Sequence, residues 1–275
     1  MVKLNKKFDD RASRKELSKL VSNVRSLNEN KNYEDIKLVD EKILTIYLNS
    51  QEILTAMTIG DYPEYLAAGF LYNQNIIHSL EEIEEIDFNE ELSAVVVRTK
   101  EDTLYELKNV KKIKTSGCAL GTIFGDMFDK LSPIQKTDNF QISITKLRQL
   151  VKAINLTPSL YLEAGAIHGS VLCNSKKPLI YIEDVGRHNA VDKVSGWMLL
   201  NKVNPEDKVL YTTGRLTSEM VLKTISMKIP ILVSRSGFTK LAVDLANQFN
   251  LTMIGRFKGK RLSCVSCETR LVFDE

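Results

Sequence analysis

Apolar and polar positions change rhythm three times along the chain. From Ile43, ILTIYL, an Asn49-Ser50 turn and EILTAM read as a β-hairpin; Asp61 is placed to cap a following helix with Pro63 in its first turn. That helix, PEYLAAGFLYN, would bury Leu66, Ala67, Phe70 and Leu71. EEIEEIDF, AVVVRT and TLYELK then alternate with period two, so residues 36–112 are expected to form a small α/β domain with antiparallel strands. His78 falls in a connecting segment and reads as a surface histidine. Residues 1–35 are a basic polar extension in which Leu17, Leu20, Val21 and Val24 suit a weak amphipathic helix; a solvated or loosely docked tail is expected.

Periodicity breaks over residues 113–135, a glycine-rich loop. Within IKTSGCALGTIFGD, Gly117, Gly121 and Gly125 surround Cys118, and Lys111, Lys112 and Lys114 lie just upstream, where they would favour a thiolate. Two readings stand: a reactive thiol, or a cysteine folded under the loop.

Residues 136–275 alternate strands with helices. Ser143 begins a helix with Leu147, Leu150, Val151 and Ile154 on one face; AIHGSVLC and LIYIE form a hairpin; a helix follows His188. VLYTT, a helix from Ser218, PILVS, a helix from Thr239 and TMIG complete the pattern. This order predicts a three-layer α/β/α sandwich with a mixed sheet.

In such a sheet the strand-to-helix turns open on one edge, and three of them carry an arginine at a helix start. Glu183, Asp184, Gly186, Arg187, His188 and Asn189 make the first turn. Gly214, Arg215, Thr217, Ser218 and Glu219 make the second, and Ser234, Arg235, Ser236 and Thr239 the third. The last strand empties into Arg256, Phe257, Lys258, Gly259, Lys260 and Arg261 at that same edge. Helix N-termini with arginines suit a phosphorylated, nucleotide-bearing ligand. The plainer reading of the first turn is a capped helix with a surface ion pair, since His188 and Asp192, like Asn189 and Lys193, are four residues apart.

Composition narrows the class. The 275 residues are 43% apolar and 27% charged, and a net charge of +3 is milder than a nucleic-acid reader carries. No run reaches the roughly 20 apolar residues that span a bilayer, and the charged start is unlike a secretory signal. A cytoplasmic protein with no membrane or nucleic-acid partner is expected, and its four cysteines read as reduced thiols.

EDVGRHNAVDKVSG, GRLTSEMVLK and SRSGFTKLAVDLA, with TSGC before them, closely resemble the FdhD/NarQ family of formate dehydrogenase accessory sulfurtransferases. The likeness runs from about Asp40 to the C-terminus and includes LAAGFLYNQNII. It implies a cytidine-deaminase-like C-terminal fold and a sulfur relay. A cysteine desulfurase loads a persulfide on Cys118. The sulfur passes to a molybdenum or tungsten cofactor, bis(molybdopterin guanine dinucleotide), which is bound as substrate before it enters the catalytic subunit of formate dehydrogenase. GDP would mimic its nucleotide arm, no intrinsic metal is implied, and a homodimer is expected. Asp184, Arg187, His188, Asn189, Arg215, Ser218, Ser234, Arg235 and the Arg256–Arg261 stretch would contact the cofactor.

Two departures from the family pattern stand out. Cys118 is followed by Ala119, Leu120 and Gly121, so the usual Cys-x-x-Cys is missing. The Thr-Gly-Gly-x-His segment reads Ala164-Gly165-Ala166-Ile167-His168, which favours a packed His168. Cys264-Val-Ser-Cys267 near the C-terminus reads as half a zinc site, a second thiol centre or incidental cysteines. A zinc deaminase is excluded, because His188-Asn189-Ala190 and Gly214-Arg215-Leu216-Thr217-Ser218 lack its glutamate and thiolates. A cofactor-binding chaperone without sulfur transfer is the alternative.

Overall fold

The computed structural model describes residues 3–4, 20–101, 131–134, 140–157 and 159–274. TLYELK and Cys118 lie outside them. The first sheet has five strands in the order β1 (Lys3–Leu4), β6 (Ile83–Asn89), β7 (Ala94–Thr99), β4 (Lys42–Leu48), β5 (Gln51–Thr58). β4 and β5 form the expected antiparallel hairpin, as do β6 and β7, but β4 pairs with β7 in parallel, and so does β1 with β6. The sheet is therefore mixed rather than antiparallel. The reason is α1 (Pro63–Asn73), which carries the chain across the sheet between the two hairpins. Its face buries Leu66, Ala67, Phe70 and Leu71 against Ile46, Leu48, Ile86, Val95 and Val97.

The N-terminal extension departs from expectation too. Val21–Leu27 (β2) and Tyr33–Val39 (β3) form an antiparallel hairpin rather than a helix. Val24 lies opposite Ile36, a pairing that satisfies a period of two as well as one of four. Val21 and Val39 pack against Ile59, Leu160 and Ile167, and Lys37 donates to Glu163 at 3.3 Å, so this hairpin is docked.

The second sheet has six strands in the order β10 (Pro178–Asp184), β9 (His168–Cys173), β11 (Val209–Thr212), β12 (Ile231–Ser234), β13 (Thr252–Lys258), β14 (Arg261–Ser266). β11, β12 and β13 are mutually parallel, β9 is antiparallel to both β10 and β11, and β14 is antiparallel to β13. It follows that β10 through β13, β9 excepted, all point the same way. Strand side chains alternate between two cores. Leu210, Leu232 and Met253 face α4 (Arg187–Leu200), α5 (Ser218–Ser226) and α6 (Lys240–Gln248), while Val209, Tyr211, Ile231 and Val233 face α2 (Ile144–Asn155). Ser143 caps α2 as predicted, its hydroxyl accepting from Lys146 N at 3.2 Å. β8 (Ile142–Ser143) pairs in parallel with β15 (Leu271–Val272), and the short α3 (Leu160–Ala164) precedes β9.

The two sheets meet where α1 crosses α4. A Cβ on Gly69 would lie 1.8 Å from the carbonyl oxygen of Asp192, and one on Gly196 would lie 2.0 Å from that of Tyr65. Only glycine at both positions permits this backbone contact. Among the described residues no helix is long and apolar enough to cross a membrane.

Candidate functional site

The shared strand direction brings the turns after β10, β11, β12 and β13 to one edge of the second sheet, as the sequence predicts. At that edge the named residues separate into three groups.

The first group faces β5 of the first sheet and the turn after it. Asp184 is fully buried; its carboxylate accepts from Thr58 Oγ1 at 2.5 Å, Lys193 Nζ at 2.6 Å, Gly186 N at 2.9 Å and Asn189 Nδ2 at 3.0 Å. Asn189 also donates to Met57 O at 2.7 Å. Lys193 is 0% exposed and ion-pairs with Asp61 as well as Asp184. Burial opposes its charge, but the two flanking carboxylates outweigh that and hold its pKa above the ordinary lysine value. Asp61 is thus spent on Lys193 and does not cap α1, whose N-cap is Tyr62 with φ 47° and no side-chain cap bond. Asp192 likewise accepts from Asn73 Nδ2 at 2.8 Å and pairs with Lys223, not with His188. Two further residues named from the sequence are buried in the same way. The Ser234 hydroxyl is buried, donating to Gly214 O at 2.6 Å and accepting from Ser236 N. Phe257 is 2% exposed in the core beneath α2. Asp184 and Asn189 tie the turn after β10 to Thr58 and Met57 of β5. Asp184, Ser234 and Phe257 are buried, whereas Asn189 is half-buried with its Nδ2 committed to Met57 and Asp184.

The second group is a cationic cluster. Arg187 lies over Gly214, where a Cβ would come within 2.9 Å of its Cδ. Its Nε is buried without an acceptor among the described residues. Burial first, then Arg215, depresses the Arg187 pKa. His188 Nε2 sits 3.0 Å from Glu219 Oε2, and that contact leads the causes holding the Glu219 carboxyl below its usual range. His168, at the start of β9, is half-buried beside Thr213 Oγ1 at 3.5 Å. Burial, then Arg187, Arg215 and His188, push its pKa below the ordinary 6.5. Ser218 opens α5, partly exposed behind the exposed Arg215. His168 was expected to be a packed histidine; the altered motif around it gives no signal that the turn after β11 brings arginines to it.

The third group surrounds a cavity of about 870 Å³ lined by Arg148, Arg235, Arg256, Lys258, Lys260 and Arg261. Arg235 leaves the Arg187 cluster: its Nη2 donates to Tyr161 OH at 3.2 Å and the guanidinium lies 5.1 Å from that ring. The stretch at 256–261 is not a loop but the tip of the β13–β14 hairpin, with Gly259 at φ 56° making the turn. Arg148 on α2 donates to Lys260 O at 3.1 Å and steadies the tip. Sequence reasoning passed over Arg148, since helical spacing marks it only as a position beside the buried Leu147. Asp274 is the acidic residue on this wall. Six cations around one open cavity suit a polyanion.

Taken together these features define an α/β protein with two main sheets among the described residues, the second ending in an electropositive edge with two lobes. The sequence pattern described as the FdhD/NarQ family matches residues 39–272. The chain belongs to that family. The sulfur carrier protein FdhD of Bacillus subtilis is 31% identical over 220 residues, spanning 80% of this chain and 84% of its own. That of Bacillus pumilus is 28% identical over 236 residues, spanning 86% and 90%. A crystal structure described as a formate dehydrogenase accessory protein from Desulfotalea psychrophila superposes with a TM-score of 0.76 at 28% identity, covering 92% of this chain and 98% of that one.

Proposed function

We propose that the protein is a sulfur carrier for the maturation of formate dehydrogenase. The observation that carries this is the family match over residues 39–272. In the proposed relay the Cys118 thiolate attacks the terminal sulfur of a desulfurase persulfide. The donor S–S bond breaks, the desulfurase cysteine leaves as a thiolate, and a persulfide remains on Cys118. Its acceptor is the bis(molybdopterin guanine dinucleotide) cofactor of molybdenum or tungsten, held as substrate at the electropositive edge. The Arg187 Nε, buried without an acceptor among the described residues, and the six cations of the cavity support a phosphate-bearing ligand there. Arg187, His188, Arg215 and His168 would meet one part of it, and Arg148, Arg235, Arg256, Lys258, Lys260 and Arg261 another. Ser218 and Gly259 stand at the margins of these two lobes. Helices on both faces of the second sheet support the cytidine-deaminase-like reading, and a cytoplasmic homodimer working with a cysteine desulfurase and formate dehydrogenase completes the proposal.

The sequence Cys118-Ala-Leu-Gly favours a second reading, a chaperone that binds and delivers the cofactor without carrying sulfur. Mass spectrometry after incubation with a cysteine desulfurase and cysteine separates the two. An added sulfur atom on Cys118 is expected. An unmodified Cys118 leaves the chaperone.

A further inference from the structure

Glu219 is set differently from the other carboxylates around the starts of α4 and α5. Glu183 accepts from Leu160 N at 2.7 Å and Tyr161 N at 3.0 Å. Asp184 is tied to Thr58 and Lys193, and Asp192 to Asn73 and Lys223. Each of these three is held by donors outside the cationic cluster. Glu219, in the first turn of α5, instead reaches across to α4, where its Oε2 lies 3.0 Å from His188 Nε2. Its charge also acts on Arg187, against the effect of Arg215. With side-chain exposures of 24% for His188 and 22% for Glu219, the pair can be reached from solvent.

The pairing is close but incomplete. Arg187 Nε, His188 Nε2 and Thr217 Oγ1 are buried atoms without a hydrogen-bond partner among the described residues, so the approach of His188 to Glu219 lacks the direction of a hydrogen bond. Thr217 shows what is left over. The turns before α5 and α6 are built alike: Leu216 pairs with Phe238, Leu216 N donates to Gly237 O, and Thr239 N donates to Leu216 O. The Thr239 hydroxyl then caps α6, accepting from Ala242 N at 3.3 Å, whereas Thr217 at the same place before α5 makes no cap bond. Buried polar atoms are as a rule paired, and a group of unpaired ones at one edge calls for a partner. The two oxygens of Glu219 leave these atoms unserved; a phosphate brings more acceptor oxygens and more charge.

We propose that Glu219 is the resident counter-anion of the Arg187, His188 and Arg215 cluster, that a phosphate of the ligand displaces it from His188, and that its charge thereby sets how tightly this lobe holds phosphate. The inference rests on the reading of this edge as a phosphate-binding site and adds a role for a residue that reading leaves out. In the free protein the carboxylate offsets the mutual repulsion of the cations. When a phosphate arrives, the carboxylate cannot leave, because it is carried by the first turn of α5. It gives up His188 and stays close, repelling the bound anion. Glu219 therefore lowers affinity, and the lobe releases its ligand more readily than its cations alone would allow.

Calorimetric titration of the full chain with pyrophosphate and with GDP tests this. Glu219→Gln keeps the side-chain length and an oxygen that His188 can use, but removes the charge. It should bind pyrophosphate about tenfold more tightly than the unaltered chain. Glu219→Asp keeps the charge and should show no such gain. A gain with pyrophosphate alone identifies free phosphate groups as sufficient; a gain with GDP only assigns the role to phosphate carried on a nucleotide. In the unaltered chain the bound ligand should also shift the His188 ring resonances, because the ring changes partner. Equal or weaker binding by Glu219→Gln would overturn the proposal, since a carboxylate that merely orients His188 assists the ligand. A His188 ring unmoved by bound ligand would overturn it as well. Arg187→Ala keeps the two readings apart. Undiminished GDP binding by that variant means that the phosphate edge itself is misplaced, whereas weakened binding there without a gain in Glu219→Gln removes the role of Glu219 alone.

Discussion

Lys193 has no exposed surface, and its ammonium is held between Asp61, just before α1, and Asp184 at the end of β10. Replacing it by Met removes the cation and leaves the buried Asp184 carboxylate without its partner, facing the partly exposed Asp61. Breaking such a pair from one side costs about 3–5 kcal/mol, so Lys193→Met should lower the urea midpoint accordingly; a loss below about 1 kcal/mol would place the charge in solvent. His168 makes the opposite bet on charge. Its pKa is depressed, so the unfolded chain takes up a proton before the folded one does. Its contribution to stability is full above pH 6.5 and is lost as pH falls through and below that value. An anion bound among Arg187, Arg215 and His188 would cancel their repulsion. Titration of the His168 ring by NMR should give a value below 6.5 in the free protein and a higher one with GDP present. An unchanged value would mean that GDP binds elsewhere. The sequence identified the EDVGRHNAVDK stretch as dense in polar chemistry. It could not say that Asp184, Asn189 and Lys193 would turn toward Thr58, Met57 and Asp61, over a hundred residues earlier in the chain.

The crossing of α1 and α4 sets the relation between the two sheets. Gly196→Ala would bring a Cβ to 2.0 Å from Tyr65 O, far inside contact, and backbone cannot yield as a side-chain tip can. The helices would have to part, and a destabilisation of about 3 kcal/mol is expected in thermal or urea unfolding. A neutral substitution would mean that the helices do not touch there. Both helices were legible from their apolar spacing, as were α2, α5, α6 and the β4–β5 and β9–β10 hairpins, because each is bounded by local turn and cap signals. β2 and β3 were not. Short exposed segments carry both periods, and the decision came from Val21 and Val39 finding Ile59, Leu160 and Ile167.

Across the whole molecule the cores interleave. Tyr65 of α1 belongs to the core of the second sheet, and Leu199 and Leu200 of α4 pack on the core of the first. Neither domain therefore completes its own interior, and unfolding should be a single transition. Fluorescence of Trp197, the one tryptophan, and far-UV circular dichroism should give coincident urea curves; two separated transitions would contradict the shared core. The sequence by itself determined the order and type of most elements, the family, and the gathering of strand-to-helix turns at one edge, because periodicity and parallel crossovers act over short spans. Tertiary structure alone decided which polar side chains at that edge remain free. A buried charge takes whatever partner the fold brings within about 3 Å, and that partner need have no neighbourhood in sequence. Thus Asp184 and Asn189 were drawn into the domain junction, while His168 and Arg148 joined the electropositive edge.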